Sequence, residues 1–130
     1  MTLTAVDERT YTIDEVGDLS GLTPHTLRYY ERIGLLEPVG RAASGHRRYT
    51  EADLGWVRFV VMLRQTGMSI ADSLRFMALT REGEHTIGER VRVLRGHRDA
   101  LVDQLAVLHR HLGAINRKID IYEGLLTPPS

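Results

Sequence analysis

Hydrophobic positions along this chain recur mostly at helical rather than strand spacing, and small hydroxyl residues mark where the helices begin. Ile13, Val16 and Leu19 share one face and predict a first helix over about Ile13 to Ser20, ended by Gly21. Thr23-Pro24 reads as an N-cap and an N1 proline, opening a second helix that runs to about Ile33 and stops at Gly34. Two short helices joined by so tight a turn fit a helix-turn-helix. Leu36 to Thr50 contains Pro38, Gly40 and Ser44-Gly45 and predicts two short strands with a turn. A third helix, Glu51 to Gln65, is apolar at Leu54, Val57 and Val61, with Trp56, Phe59, Val60 and Leu63 alongside. Thr66-Gly67 breaks it. A fourth helix follows from Ile70 to about Leu79, apolar at Ile70, Leu74 and Met77. The polar run Thr80 to His85 reads as a link. Four starts pair a Ser or Thr with an acid three residues on: Thr12 with Glu15, Thr50 with Asp53, Ser69 with Asp72, and Thr86 with Glu89. Each pair can satisfy the unbonded amides of a helix N-terminus.

From Ile87 the period changes. Steps of four and three residues reach Ile87, Val91, Leu94, Arg98, Leu101, Leu105, Leu108, Leu112, Ile115, Ile119, Tyr122 and Leu126, and only Arg98 is polar. A 3.5-residue repeat held this long predicts one helix over 87–126, roughly 60 Å in length at about 1.5 Å per residue. Each Leu or Ile left in water would forgo roughly 1.5–3 kcal/mol of burial. A partner helix is therefore expected. Arg98 would either pair with an acid across that partner or snorkel to water.

Composition narrows the function. The chain of 130 residues has no cysteine, which removes disulfides, thiolate metal sites and thiol sensing. Net charge is zero, yet Pro24 to Thr50 carries five arginines (Arg28, Arg32, Arg41, Arg47, Arg48) against Glu31 and Glu37, a local +3. A nucleic acid responds to that local patch. Arginine forks and tyrosine hydroxyls on a short helix suit a phosphate backbone. No apolar run is long enough for a bilayer, and MTLTAVDERT lacks the regions of a signal peptide, so a cytoplasmic protein is expected. His109 and His111 diverge by about 200° on a helix, and His85 and His97 form no ligand pair with a nearby acid (Glu89 and Asp99 do not fit), so no metal or other cofactor is expected. No phosphate loop or nucleophile–base pair suggests an enzyme.

TIDEVGDLSGLTPHTLRYYERIGLL, SGHRRYTEADL and LRQTGMS together resemble the MerR family of bacterial transcription regulators over about Tyr11 to Leu79. The order and spacing of Leu-Arg-Tyr-Tyr-Glu, Gly-Leu-Leu, Gly-x-Arg-x-Tyr and Leu-Arg-x-x-Gly carry the resemblance. It implies a mainly α fold: a winged helix-turn-helix domain (11–80), a linker (81–86), and a dimerisation helix (87–126) forming an antiparallel coiled coil, with tails at 1–10 and 127–130. It implies a recognition helix, Pro24 to Ile33, in the major groove, with His25, Thr26 and Arg28 toward base edges. Tyr29 and Tyr30 would hold phosphates near the operator centre, with core packing the alternative for Tyr30. Arg47 and Arg48 would be the wing's phosphate contacts and Arg64 that of a second wing. Arg32 and Arg48 could equally be solvated or ion-paired. Leu94, Leu101, Leu105, Leu108, Leu112, Ile115, Ile119 and Tyr122 would form the dimer seam.

The expected function is a homodimeric regulator on a near-palindromic promoter operator of double-stranded DNA, distorting the spacer between RNA polymerase's recognition elements. Alternatives are an architectural or phage-type DNA binder without effector, and a coiled-coil interaction module. WVRFVVMLRQTGMS, TREGEHTIGERVRVL and INRKIDIYEGLL look most like the small aldehyde-responsive subgroup. Its proposed sensor cysteine aligns with Met62, whose thioether is a poor aldehyde trap, so the signal would be one that needs no thiol. Met62 reads either as core or, with Trp56, Phe59, Met77 and Tyr122, as part of an apolar effector pocket.

Overall fold

The computed structural model describes residues 9–37, 39–40, 45 and 47–126. Five α-helices account for most of it: α1 (Ile13–Ser20), α2 (Pro24–Arg32), α3 (Glu51–Gln65), α4 (Ile70–Glu82) and α5 (Ile87–Leu126), with a single 3₁₀ turn, Glu84–Thr86, before α5. Residues 1–8 of the expected tail 1–10, the tail 127–130, and Pro38, Arg41, Ser44 and His46 of the expected hairpin lie outside the described residues.

Caps set the starts of α1 and α3. Thr12 Oγ1 accepts the Glu15 amide at 3.1 Å while Glu15 Oε1 accepts the Thr12 amide at 3.0 Å. Thr50 and Asp53 exchange the same two bonds at 3.1 and 2.9 Å. Ser69 accepts from the Asp72 amide at 3.0 Å. The expected pairing of Thr86 with Glu89 takes another form. The Thr86 hydroxyl lies 2.6 Å from the Leu79 carbonyl and 2.7 Å from that of Gly83, while Glu89 pairs with Arg75 at 2.9 Å. Thr86 is buried, and its hydroxyl finds its acceptors at the end of α4 and in the turn after it.

The chain divides into two compact units that meet between Arg90 and Val91. In the first, α1 packs on α2 and α3, and α4 packs on α3. Val16, Leu27, Leu35 and Val60 are fully buried at the centre, ringed by Leu54, Val57, Leu63, Phe76 and Met77. The turn between α1 and α2 closes on Gly17, where an added Cβ would sit 2.7 Å from the Leu22 carbonyl oxygen. Gly21 then reverses the chain at φ 79°, a left-handed conformation open to glycine at little cost. Leu19, expected on the packed face of α1, is exposed.

Two expectations change. α4 runs past Leu79 to Glu82, because Thr80 and Arg81 have partners that hold the last turn. Thr80 Oγ1 donates to the Phe76 carbonyl at 3.0 Å, and Arg81 Nη1 donates to the Gly34 carbonyl at 2.7 Å. Thr80 to Glu82 therefore belongs to α4 instead of to an open link. Between α2 and α3, no strand longer than a single antiparallel bridge forms among the described residues. Tyr49 exchanges backbone hydrogen bonds of 2.7 and 2.9 Å with Tyr11, and the Arg48 amide donates to the Gly40 carbonyl at 2.8 Å. The pairing partner of Tyr49 thus comes from the chain ahead of α1.

The second unit is the continuation of α5. No residue of α5 is buried, and Leu105, Leu108, Leu112, Ile115, Ile119 and Tyr122 all stand exposed. No helix among the described residues is long and apolar enough to cross a membrane.

Candidate nucleic-acid interface

α2 is built to show one face. Thr23 Oγ1 accepts the Thr26 amide at 3.1 Å and lies 3.0 Å from the Thr26 hydroxyl, and Pro24 sits in the first turn. Leu27 and Tyr30 point inward, with Tyr30 only 9% exposed. His25, Arg28, Tyr29 and Arg32 are exposed, and their spacing of three, four and seven residues puts them on one stripe. The Tyr29 ring carries the Arg32 guanidinium 5.8 Å from its centroid. One side of the helix is thus apolar and fixed, and the other is cationic and aromatic.

The sequence-predicted residues do not all lie on that stripe. Tyr30 is a packing residue in the core, and its ring meets Tyr29 at 6.0 Å between centroids. Thr26 is half-buried and tied into the Thr23 cap. Arg47 comes back to α2 from the wing segment: its Nε lies 2.8 Å from Glu31 Oε2, and the Tyr49 hydroxyl donates to the same oxygen at 3.3 Å. Burial, then the adjacent Glu31 carboxylate, raises the Tyr49 phenol to about 12, so it remains a donor throughout the neutral range. Arg48 is half-buried. Arg64, at the end of α3, donates Nη1 to the Met68 carbonyl and closes the turn into α4.

Glu31 was missed as a site residue. It is one of two acids inside a basic stretch and the last residue of Leu-Arg-Tyr-Tyr-Glu, and that placement was its signal. Its carboxylate docks Arg47 against α2, making the helix and the wing root one surface.

The pocket candidates separate. Trp56 and Met77 line a cavity of about 130 Å³ between α3, the end of α4 and the wing root. Trp56 also meets Phe59 edge-on at 6.0 Å, in a shallow depression beside Phe76. Met62 lines neither and is 42% exposed. Six residues along a helix turn it about 120° away from Trp56. Tyr122 stands exposed on α5 beneath the Lys118 ammonium, 5.6 Å from its ring centroid.

Residues 11–79 match the family model of the MerR HTH regulatory proteins. An HTH-type transcriptional regulator of Haemophilus influenzae is 37% identical, over 88% of this chain and 84% of its own. The regulator AdhR of Bacillus subtilis is 41% identical over 70% of this chain and 65% of its own. The crystal structure of HiNmlR, described as a MerR family regulator lacking the sensor domain, bound to promoter DNA, superposes with a TM-score of 0.82 at 36% identity, over 88% of this chain and 87% of that one. A MerR family regulator from Listeria monocytogenes gives 0.80 at 39% identity, over 87% and 86%. The chain belongs to the MerR family of helix-turn-helix transcriptional regulators.

Proposed function

We propose that this regulator binds double-stranded promoter DNA as a homodimer in the cytoplasm, as a binding protein with no chemical step. The exposed stripe His25, Arg28, Tyr29 and Arg32 on a helix whose other side is locked into the core carries the reading. Such a helix enters a major groove with side chains already placed. His25 and Arg28 face base edges; Tyr29, Arg47 and Arg48 meet phosphates with Arg32 beside them, while Tyr30 packs behind them from the core. Thr26 acts through its cap, and Arg64 supports the turn that flanks the backbone. The promoter-bound relative HiNmlR supports the choice of partner.

Dimerisation rests on α5. Its seam from Leu94 and Leu101 through Leu105, Leu108, Leu112, Ile115 and Ile119 to Tyr122 needs a cover, and an antiparallel copy of the same helix supplies the same repeat. Two copies present two α2 stripes, hence a near-palindromic operator, and distortion of the spacer in front of RNA polymerase follows from gripping both halves. Any signal acts without thiol chemistry, since the sequence has no cysteine. Binding to promoter fragments at several salt concentrations tests the reading. The affinity should fall steeply as salt rises, because phosphate contacts release counterions. A flat response would favour a protein-interaction module instead.

A further inference from the structure

The cavity lined by Leu36, Tyr49, Trp56 and Met77 is one that the DNA-binding reading does not use. Its volume of about 130 Å³ approaches the roughly 150 Å³ of an apolar cavity known to accept benzene, so it suits a single ring. Trp56, Val57 and Met77 form an apolar wall, and Tyr49, Asp53 and Arg81 contribute polar groups. Glu37 stands at the edge. The charges favour one sign of ligand. The Arg81 guanidinium already holds Glu37 Oε1 at 3.1 Å through Nε and the Gly34 carbonyl at 2.7 Å through Nη1. Asp53 uses Oδ2 on the Thr50 amide at 2.9 Å, and it lines the cavity together with Trp56. Two carboxylates against one committed guanidinium, next to an indole face, select a cation.

We propose that this cavity binds a small organic cation of one ring, its body against Trp56, Val57 and Met77 and its ammonium toward Asp53. The site goes beyond the DNA-binding reading and needs no DNA to be occupied. It also touches the interface: Tyr49 is one wall, and its hydroxyl holds Glu31, the partner of Arg47.

Trp56 is the sole tryptophan in the sequence, so its fluorescence reports this site directly. The full chain, without DNA, is titrated with benzylamine (protonated at neutral pH), benzyl alcohol and benzoate. Benzylamine should give a saturable change in the roughly millimolar range expected of so few atoms. Benzyl alcohol should bind several-fold more weakly and benzoate most weakly. Asp53→Asn keeps an acceptor for the Thr50 amide, and circular dichroism checks its fold; it should weaken benzylamine about tenfold and leave benzyl alcohol unchanged. Glu37→Gln, on an exposed side chain, should weaken benzylamine in the same direction. A Trp56 signal flat to benzylamine, benzoate binding as tightly as benzylamine, or both variants binding benzylamine like the parent would each overturn the assignment. Because DNA is absent, none of these results bears on operator binding, and a failure of operator binding leaves them standing.

Discussion

The two units of this chain use hydrophobic residues in opposite ways. Up to Arg90, apolar side chains close on one another: Val16, Leu27, Leu35 and Val60 have no exposed surface, and even the tyrosines Tyr11, Tyr30 and Tyr49 are buried. Beyond it, α5 carries leucines and isoleucines at regular spacing and buries none of them. The first pattern encodes a core, and the second leaves a stripe that the proposed partner helix would cover. Hydrophobicity alone does not tell these apart. Period and length do, because a forty-residue helix cannot fold its own stripe away from water.

The contrast breaks most visibly at Leu108, which is 63% exposed in the single chain. Leu108→Asp should give monomer by light scattering while the circular dichroism of the first unit persists, since an unpaired charge buried in each copy costs roughly 3–5 kcal/mol. Retention of dimer mass would mean that the seam lies elsewhere. Arg28→Ala should weaken operator binding about ten- to a hundredfold, the scale of a charged hydrogen bond at about 1.5–3 kcal/mol, with the melting temperature unmoved. Unchanged affinity in a gel-shift titration would remove the stripe from the interface.

Gly17→Ala acts only on the first unit. Its Cβ would meet the Leu22 carbonyl, and the turn must shift at a cost of roughly 1–3 kcal/mol. Helix propensity returns at most about 1 kcal/mol. A lower melting temperature with dimer mass intact is expected; equal or higher stability would contradict the close approach. Glu15→Gln should have the smallest effect. The hydrogen bond from the Thr12 amide holds the Glu15 carboxyl below its usual range. A depressed carboxylate stabilises the fold above its unfolded value and loses that contribution as pH falls through the folded one. Stability curves of parent and variant should therefore converge in the acid range and separate toward neutral pH. Parallel curves would show that the cap contributes nothing through this charge.

Local signals were readable where partners are close in sequence. Thr12 with Glu15 and Thr50 with Asp53 form reciprocal caps because both partners lie within one turn. Thr86 obeys the same grammar but turns to the carbonyls of Leu79 and Gly83, a choice made by the end of another helix. The extension of α4 depends on Arg81 reaching Gly34, 47 residues away. Arg28 and Tyr29 were visible as interface candidates, since helical spacing gives their direction. The hold of Glu31 on Arg47 was not visible, because it needs Arg47 brought back to α2 from a distant point of the chain. Met62 and Trp56 both suit an apolar pocket, but the helix turns them apart, so Met62 lies outside the cavity that Trp56 lines in the single chain.

Sedimentation of the full chain on a promoter duplex carrying a near-palindromic operator tests the central claim most directly. Two chains per duplex, falling to one or none with Leu108→Asp, is the predicted result. One chain per duplex for the parent protein, at saturation, would contradict the account.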